Sequence, residues 1–531
     1  LPILIIIAAT FIVYARALGN DFVYDDLQEV LANKWVTDLG YIPEIFSSAD
    51  WDFMGKGYPS DFYRPTLHFS FLLINTIFGM KAWAFHLQNV AFHALNAVVL
   101  YFIALRLMDD DRVEGERPRT QGFYALLGSL VFVAHPLNVE PVSWVSSISD
   151  LHFAFFALLS VYFYMRGGRA AYAASVALFF LSAVSKETAA VVPVILIGYD
   201  LLVRKTPPSA VSTWLKRYAP FVAAGAVYIA IRMAALGVLT PSEDKYAFLT
   251  DAQYAMNVAV LFAMHMWKLV LPTGLTVAHV FTPALSPFES TALASFGLIA
   301  AMLFIFAYCF RGNRVVSFSI LWIILPTVPI LMFAYRDYPF SERYLYLSAA
   351  GFALLLSILF YKSRNVHAKV SVALAVALIA VYSVASFARA GVWKDESTLW
   401  ADAAEKAPGH ARAHYSHGYA LYRKKMYPEA IEAYKRAIAI KPLIRDWRYD
   451  LALAYQESGR LDEAIAEYSE GIRLGLAGDA NTRINLGNAY AMKGLYAEAV
   501  GEYEIALSIA PGNQAAAANL RVVRMRMHGA R

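Results

Sequence analysis

A single cysteine, Cys309, in 531 residues leaves no partner for a disulfide and too few thiols for a cysteine-based metal site. Charge is also scarce. Asp, Glu, Lys and Arg make up 16% of the chain, against 59% apolar and 15% aromatic residues, a balance unlike that of an ordinary soluble domain. The net charge of +5 is small and scattered between apolar runs, so nothing suggests a nucleic-acid partner. The sequence opens at Leu1 without a methionine or a basic flank, which points to a missing true N-terminus. No small-residue cleavage site follows the first apolar run, which therefore reads as a membrane span and not a signal peptide.

What is present is apolar sequence in long stretches. A span of a roughly 30 Å hydrocarbon core needs about 20 residues. Runs near 1–18, 82–105, 121–137, 150–165, 170–184, 188–203, 218–237, 291–310, 315–333, 343–361 and 368–387 give about eleven expected spans. Alternate loops carry Arg106, Arg112, Arg117 and Arg119, then Arg166 and Arg169, then Arg204, Lys205, Lys216 and Arg217, then Arg311 and Arg314, then Lys362, Arg364 and Lys369. The excess of positive charge marks these as cytoplasmic. The opposite loops hold Asp25, Asp26, Glu29, Asp61, Glu140, Asp150, Glu187, Glu243, Asp244 and Asp251, and are external. The apolar run 256–271 would invert every later loop if it crossed, so it is expected to be re-entrant or interfacial inside a large external segment, 238–290. An odd number of spans then places the C-terminal region on the same side as Asp25.

Past residue 390 the composition turns alanine-rich, charged and periodic. Gly418, Ala430, Tyr434, Ala437 and Pro442 occupy the small and aromatic positions of a 34-residue helix-turn-helix repeat. Ala452, Tyr455, Ala464, Tyr468 and Gly471 repeat the pattern, as do Gly487, Tyr490, Ala499, Tyr503, Ala506 and Pro511. Ala430 to Ala464 is 34 positions and Ala464 to Ala499 is 35, so one residue is inserted. Trp400, Ala403 and Pro408 fit the second half of a preceding unit. The expected architecture is all-α: a polytopic membrane domain over 1–390, including a first external loop 19–81, and a tetratricopeptide-repeat solenoid over 391–531.

The polar motifs fall on the external side. Asp25 and Asp26 follow the first span and read either as reactive carboxylates or, because Glu29 stands three residues after Asp26, as the start of a capping box. Arg64 precedes Pro65, so it sits just outside a helix beginning there, where it can fork onto a phosphate or snorkel to lipid headgroups. His86, Asn89, His93 and Asn96 share one helical face; two histidines seven apart lie about 10 Å from each other, so interhelical hydrogen bonding is the better reading than chelation. Further clusters are His135-Pro136 with Glu140, Trp144 and Asp150; Ser185-Lys186-Glu187; and Arg336-Asp337 with Ser341-Glu342-Arg343-Tyr344-Leu345-Tyr346. Lys186–Glu187 and Glu342–Arg343 also fit plain interfacial ion pairs. Ionisable groups from separated loops on one membrane face tend to be functional.

Tyr24-Asp25-Asp26 with Asn33, Tyr63-Arg64-Pro65, His135-Pro136 with Glu140, Ser185-Lys186-Glu187 and Glu342-Arg343-Tyr344-Leu345-Tyr346, in this order and followed by the repeats, resemble the transmembrane and tetratricopeptide-repeat O-mannosyltransferases. These are polytopic glycosyltransferases of the GT-C class. The segment 238–290 lacks the Asp-Asn-Pro sequence expected of eukaryotic members and the array is short, which points to a bacterial relative in an inner membrane, with active site and repeats on the periplasmic side.

The resemblance implies a polyprenyl-phosphate-linked sugar donor and inverting transfer to a Ser or Thr hydroxyl of a protein acceptor engaged through the repeats. Asp25 is then the general base with Asp26 beside it. Arg343, Arg64 and Lys186 face the departing phosphate, His135 and Glu140 shape the donor site, and Glu187, Glu342 and Tyr344 support them. Two carboxylates could hold Mg²⁺ or Mn²⁺ through oxygen, although no complete ligand set is visible. A lipid or envelope-glycan acceptor, and a non-enzymatic membrane-anchored repeat scaffold, are the alternatives.

Overall fold

A computed structural model describes residues 1–55, 60, 62–110, 118–237, 248–331 and 340–529. Asp61, Arg112, Arg117, Glu243, Asp244, Arg336 and Asp337 lie outside the described residues, as does the side chain of Arg119. Among the described residues every regular element is helical. The chain divides into two compact units, Leu1–Val277 with Phe281–Asp395, and Ala278–Val280 with Glu396–Arg531.

The first unit contains α1 (Pro2–Val13), α2 (Pro65–Phe78), α3 (Ala82–Asp110), α4 (Pro118–Ala134), α5 (Ile148–Arg166), α6 (Arg169–Ser185), α7 (Val191–Leu202), α8 (Val211–Leu236), α9 (Asp251–Val270), α10 (Ser290–Gly312), α11 (Arg314–Ile324) and α12 (Tyr346–Ala390). By length and composition, six helical stretches among the described residues can cross a membrane, or seven if a pair bent by 52° between Ala134 and Pro136 is one span. The expected eleven is larger because the runs 1–18, 170–184 and 188–203 form the short helices α1, α6 and α7, and the runs 343–361 and 368–387 fall within one helical stretch. Helices of 12 to 17 residues fall below the roughly 20 needed to cross unaided. Exposure of Leu303, Phe304 and Tyr308 on α10, each more than 60% accessible, requires an apolar surrounding.

The two expected spans 343–361 and 368–387 run together as α12, which breaks at His367 with φ −136° and ψ 37°. The hydroxyls of Ser363 and Ser371 lie 2.6 Å apart. Eight residues of straight helix would separate them by about 12 Å, so the chain doubles back here. Tyr361 and Ala375 share one apolar cluster, as antiparallel halves require. The helix α9 begins at a capping box, with Thr250 Oγ1 accepting from Gln253 N–H. It is not among the helices apolar enough to cross. Its buried face holds Met256, Leu261, His265 and Leu269.

In the second unit helical pairs repeat as the spacing predicts: Ala411–Arg423 with Tyr427–Ile440, Arg445–Glu457 with Leu461–Gly471, and Ala480–Lys493 with Tyr496–Ile509. A Cβ on Gly418 would meet the Tyr434 ring at 2.8 Å, and one on Gly487 would meet Tyr503 at 2.8 Å. Glycine is what lets each helix touch its neighbour's aromatic ring. The extra residue of the middle unit is accommodated in a wide π-type turn, Ile472–Leu476, where Gly475 adopts φ +121°.

Candidate active site

Asp25 and Asp26 are introduced by a strained backbone. Tyr24 has φ +59°, a region that bulky residues avoid, held by its ring lying 5.2 Å from Trp144. The expected capping box is absent. Asp26 has φ −56° and ψ −31°, already helical, so its side chain cannot reach forward as a cap does. Instead Oδ2 accepts from Val23 N–H at 3.1 Å, and Oδ1 accepts from Ser146 N–H at 2.8 Å and Ser146 Oγ at 2.6 Å. Asp26 is fully buried, and burial pushes its carboxyl up to about 7 against the lowering effect of these bonds. Glu29 is buried too and raised, by burial and then by the nearby charges of Asp50 and Asp25. Asp25 remains half-buried.

Asn33 fastens this loop from below. Its Oδ1 accepts from Trp35 N–H at 2.8 Å, and its amide donates to Glu29 O and to His68 Nδ1, each at 3.0 Å. The neutral tautomer this selects leaves His68 Nε2–H for Asp50 Oδ1 at 2.8 Å.

Three cations converge nearby, each beside a carboxylate from another loop. Arg64, immediately before α2, reaches Glu187 at 3.2 Å and lies over the Phe62 ring at 4.1 Å. Lys186 Nζ stands 2.5 Å from Asp150 Oδ1 and 5.5 Å from the Tyr344 ring centre. Arg343 donates to Glu140 at 2.6 Å and lies over Trp144 at 4.9 Å and Tyr344 at 5.2 Å. Burial lowers the Lys186 ammonium, Asp150 opposes this, and Arg64 and Arg343 lower it further, so the three charges share one electrostatic site. Against the upward push of burial, Arg64 and Lys186 hold Glu187 down to about 2.

Glu140 also organises the turn that carries Arg343: it accepts from Ser341 Oγ at 2.8 Å and from Glu342 N–H at 3.1 Å. Glu342 in turn accepts from Thr276 N–H at 2.5 Å, tying in the 238–290 segment. His135 is not free for a ligand in this structure. Its Nε2 donates to Leu269 O at 2.9 Å and its Nδ1 accepts from Leu137 N–H at 3.3 Å, so it pins α9 to the bundle.

The polar stripe on α3 makes interhelical bonds. Asn89 donates to Trp144 O at 2.8 Å, His93 meets Tyr346 OH at 2.7 Å, and Asn96 donates to Leu151 O at 3.2 Å. It is the post on which the site loops hang. Ser146 escaped the sequence reading, and Trp144 and Asp150 had no role there; the polar run from Ser146 to Asp150, just before a span, was the available signal. Among the described residues no group of three or more His, Cys, Asp or Glu is placed to hold a metal ion.

The repeats match the family model for the tetratricopeptide repeat over residues 397–443 and 449–514. Most of the chain has relatives as well. Protein O-mannosyl-transferase F38B6.6 of Caenorhabditis elegans is 27% identical over 83% of this chain and 63% of that protein. Protein O-mannosyl-transferase TMTC4 of Mus musculus is 26% identical over 80% and 64%, and TMTC3 of Homo sapiens 21% over 88% and 54%. Its homologues are protein O-mannosyl-transferases with tetratricopeptide repeats. The chain spans between about half and just under two thirds of the length of these relatives. The Arabidopsis OM64 TPR domain is similar to 22% of this chain and 95% of its own, at 20% identity and a TM-score of 0.21. With its apolar helices, the chain is an integral membrane protein.

Proposed function

We propose that this chain is the membrane-embedded transferase of a protein O-mannosylation system. It moves a mannosyl group from a polyprenyl-phosphate carrier to a Ser or Thr hydroxyl of a protein, at the external face of the membrane, periplasmic or lumenal. The observation that carries this reading is the convergence of Arg64, Lys186 and Arg343 beside the Asp25–Asp26 loop, with Trp144 touching both Tyr24 and Arg343. A site with several cations and, at Asp25, a half-buried carboxylate suits a reaction that releases a phosphate and a proton.

In the proposed step the acceptor oxygen attacks the anomeric carbon from the face opposite the phosphate. Asp25 takes the hydroxyl proton as the new C–O bond forms. The bond from the anomeric carbon to the phosphate oxygen breaks, and its electron pair leaves with the polyprenyl phosphate. Arg343, flanked by Lys186 and Arg64, stabilises the charge that gathers there. Asp26, held by Ser146, fixes the backbone that aims Asp25. Glu140, Asp150 and Glu187 keep the cations in position before the donor arrives, and His135, Glu342 and Tyr344 hold the surrounding walls. The repeats bind the acceptor polypeptide.

The test is transfer of labelled mannose from polyprenyl-phosphate mannose to a Ser/Thr peptide by the full chain in liposomes. Transfer by the natural sequence should fall by about 10²–10⁴-fold in Asp25→Asn, the range of general-base catalysis. Undiminished transfer by Asp25→Asn would remove the base assignment. No transfer by the folded natural chain, with active donor and peptide, would remove the activity.

A further inference from the structure

At the other end of the bundle a second ionic cluster leaves two cations over. Asp200, near the C-terminal end of α7, is fully buried. It receives Arg217 at 2.6 Å, Arg204 at 3.2 Å, and the hydroxyls of Tyr164 at 2.5 Å and Tyr218 at 3.0 Å. Tyr164 and Asp150 both belong to α5, about 21 Å apart at 1.5 Å per residue, so this cluster is well separated from Lys186. Thr206 N–H donates to Asp200 O at 2.9 Å, closing a turn in which Lys205 takes φ +58°. A lysine in left-handed backbone is uncommon and is held there by the surrounding contacts.

Arg204 and Arg217 are thus engaged with Asp200. Lys205 and Arg314 have no carboxylate partner among the described residues; Arg314 lies over the Phe310 ring at 5.9 Å. Both line a cavity of about 440 Å³ whose other walls are mostly apolar, with Leu201, Leu321, Phe306 and Phe310 among them. Phe306 and Phe310 belong to α10, which has the smallest buried share of the six candidate spans among the described residues. The cavity therefore adjoins the surface that lipid covers, and the alternation of basic loops assigns this end to the cytoplasm.

We propose that this cavity binds an anionic membrane phospholipid, with the phosphate between Lys205 and Arg314 and the acyl chains against Phe306, Phe310 and α10. Two cations in the lining match a headgroup whose phosphodiester charge no choline offsets, and Arg314 can fork onto its oxygens. The apolar walls match the chain ends nearest the headgroup, which a soluble phosphate would leave uncovered. The volume is that of a small-molecule site.

Native mass spectrometry of the full chain in detergent, titrated with phosphatidylglycerol or phosphatidylcholine of identical chains, tests this. Retention of phosphatidylglycerol should exceed that of phosphatidylcholine by roughly 30-fold, from two interfacial cations. The double variant Lys205→Asn/Arg314→Gln should abolish the preference; asparagine is chosen because it tolerates left-handed backbone. Arg314→Gln alone, which leaves the strained turn untouched, should reduce it by roughly fivefold. Equal retention of both lipids by the natural chain, or a preference that survives the double variant, overturns the proposal. So does thermal stabilisation by millimolar inorganic phosphate equal to that by phosphatidylglycerol, which would make the ligand a soluble phosphate.

Discussion

Ser146 donates both its backbone N–H and its hydroxyl to one oxygen of Asp26, at 2.8 and 2.6 Å, across 120 residues of sequence. This pair joins the loop after the first apolar helix to the segment before α5, and it leaves Asp25 as the more accessible carboxylate. Removing the hydroxyl in Ser146→Ala leaves only the backbone donor to that oxygen. The variant should lose about 1–3 kcal/mol of stability, as expected for a charge-assisted hydrogen bond. Thermal unfolding in detergent reads this, and transfer should fall with it because the aspartate turn loosens.

Asp26 also makes stability depend on pH. Its folded value of about 7 lies above the ordinary 3.8, so the folded chain holds the proton more tightly than the unfolded one. Its contribution is fully present at low pH, declines from about pH 4 to about pH 7, and then levels off. Asp26→Asn should remove that decline, so natural and variant melting curves diverge in slope between pH 4.5 and 7. Parallel pH dependence in the two would show that Asp26 ionises freely in the fold.

Glu187 has the opposite sign. Its folded value of about 2 lies below the ordinary 4.5, so its pairing with Arg64 contributes above pH 4.5 and is lost as pH falls toward 2. Glu187→Gln should therefore cost stability at pH 7 and progressively less below pH 4.5, read by the same melting series.

Arg343 and Glu140 should behave as a unit. Arg343→Ala leaves a carboxylate that is 1% exposed without its cation, a loss of about 3–5 kcal/mol. The double variant Glu140→Gln/Arg343→Met should recover most of that stability while donor affinity stays low. Recovery of donor affinity together with stability would place the phosphate contact elsewhere.

The repeats offer a separable test. Gly487→Ala puts a methyl group 2.8 Å from the Tyr503 ring, and overpacking of this kind costs about 1–3 kcal/mol. Limited proteolysis should show the third repeat opening first, with transfer to a short peptide retained and transfer to a full-length protein acceptor reduced.

Much of this was legible in the residues. Apolar run length located the helices, because the thickness of a bilayer sets how long a span must be. The small-and-aromatic spacing located the repeats, because only glycine or alanine fits where two helices touch. Even the hairpin at His367 was visible, as two runs separated by Lys362, Arg364 and Lys369. Local spacing misled at Asp26, where a cap was expected. Whether a side chain bonds its own helix or a distant loop depends on backbone angles that no spacing reveals.

By itself, then, the sequence determined the all-helical class, the order of spans and repeats, and the inventory of charged groups between spans. Only the tertiary structure decided the pairings: Asp26 with Ser146, Lys186 with Asp150, Arg64 with Glu187, and Glu140 with Arg343 across 203 residues. The reason is physical. Buried charges must find partners, but which partner is within hydrogen-bond reach is set by how the helices pack, and that packing is spread over the whole membrane unit.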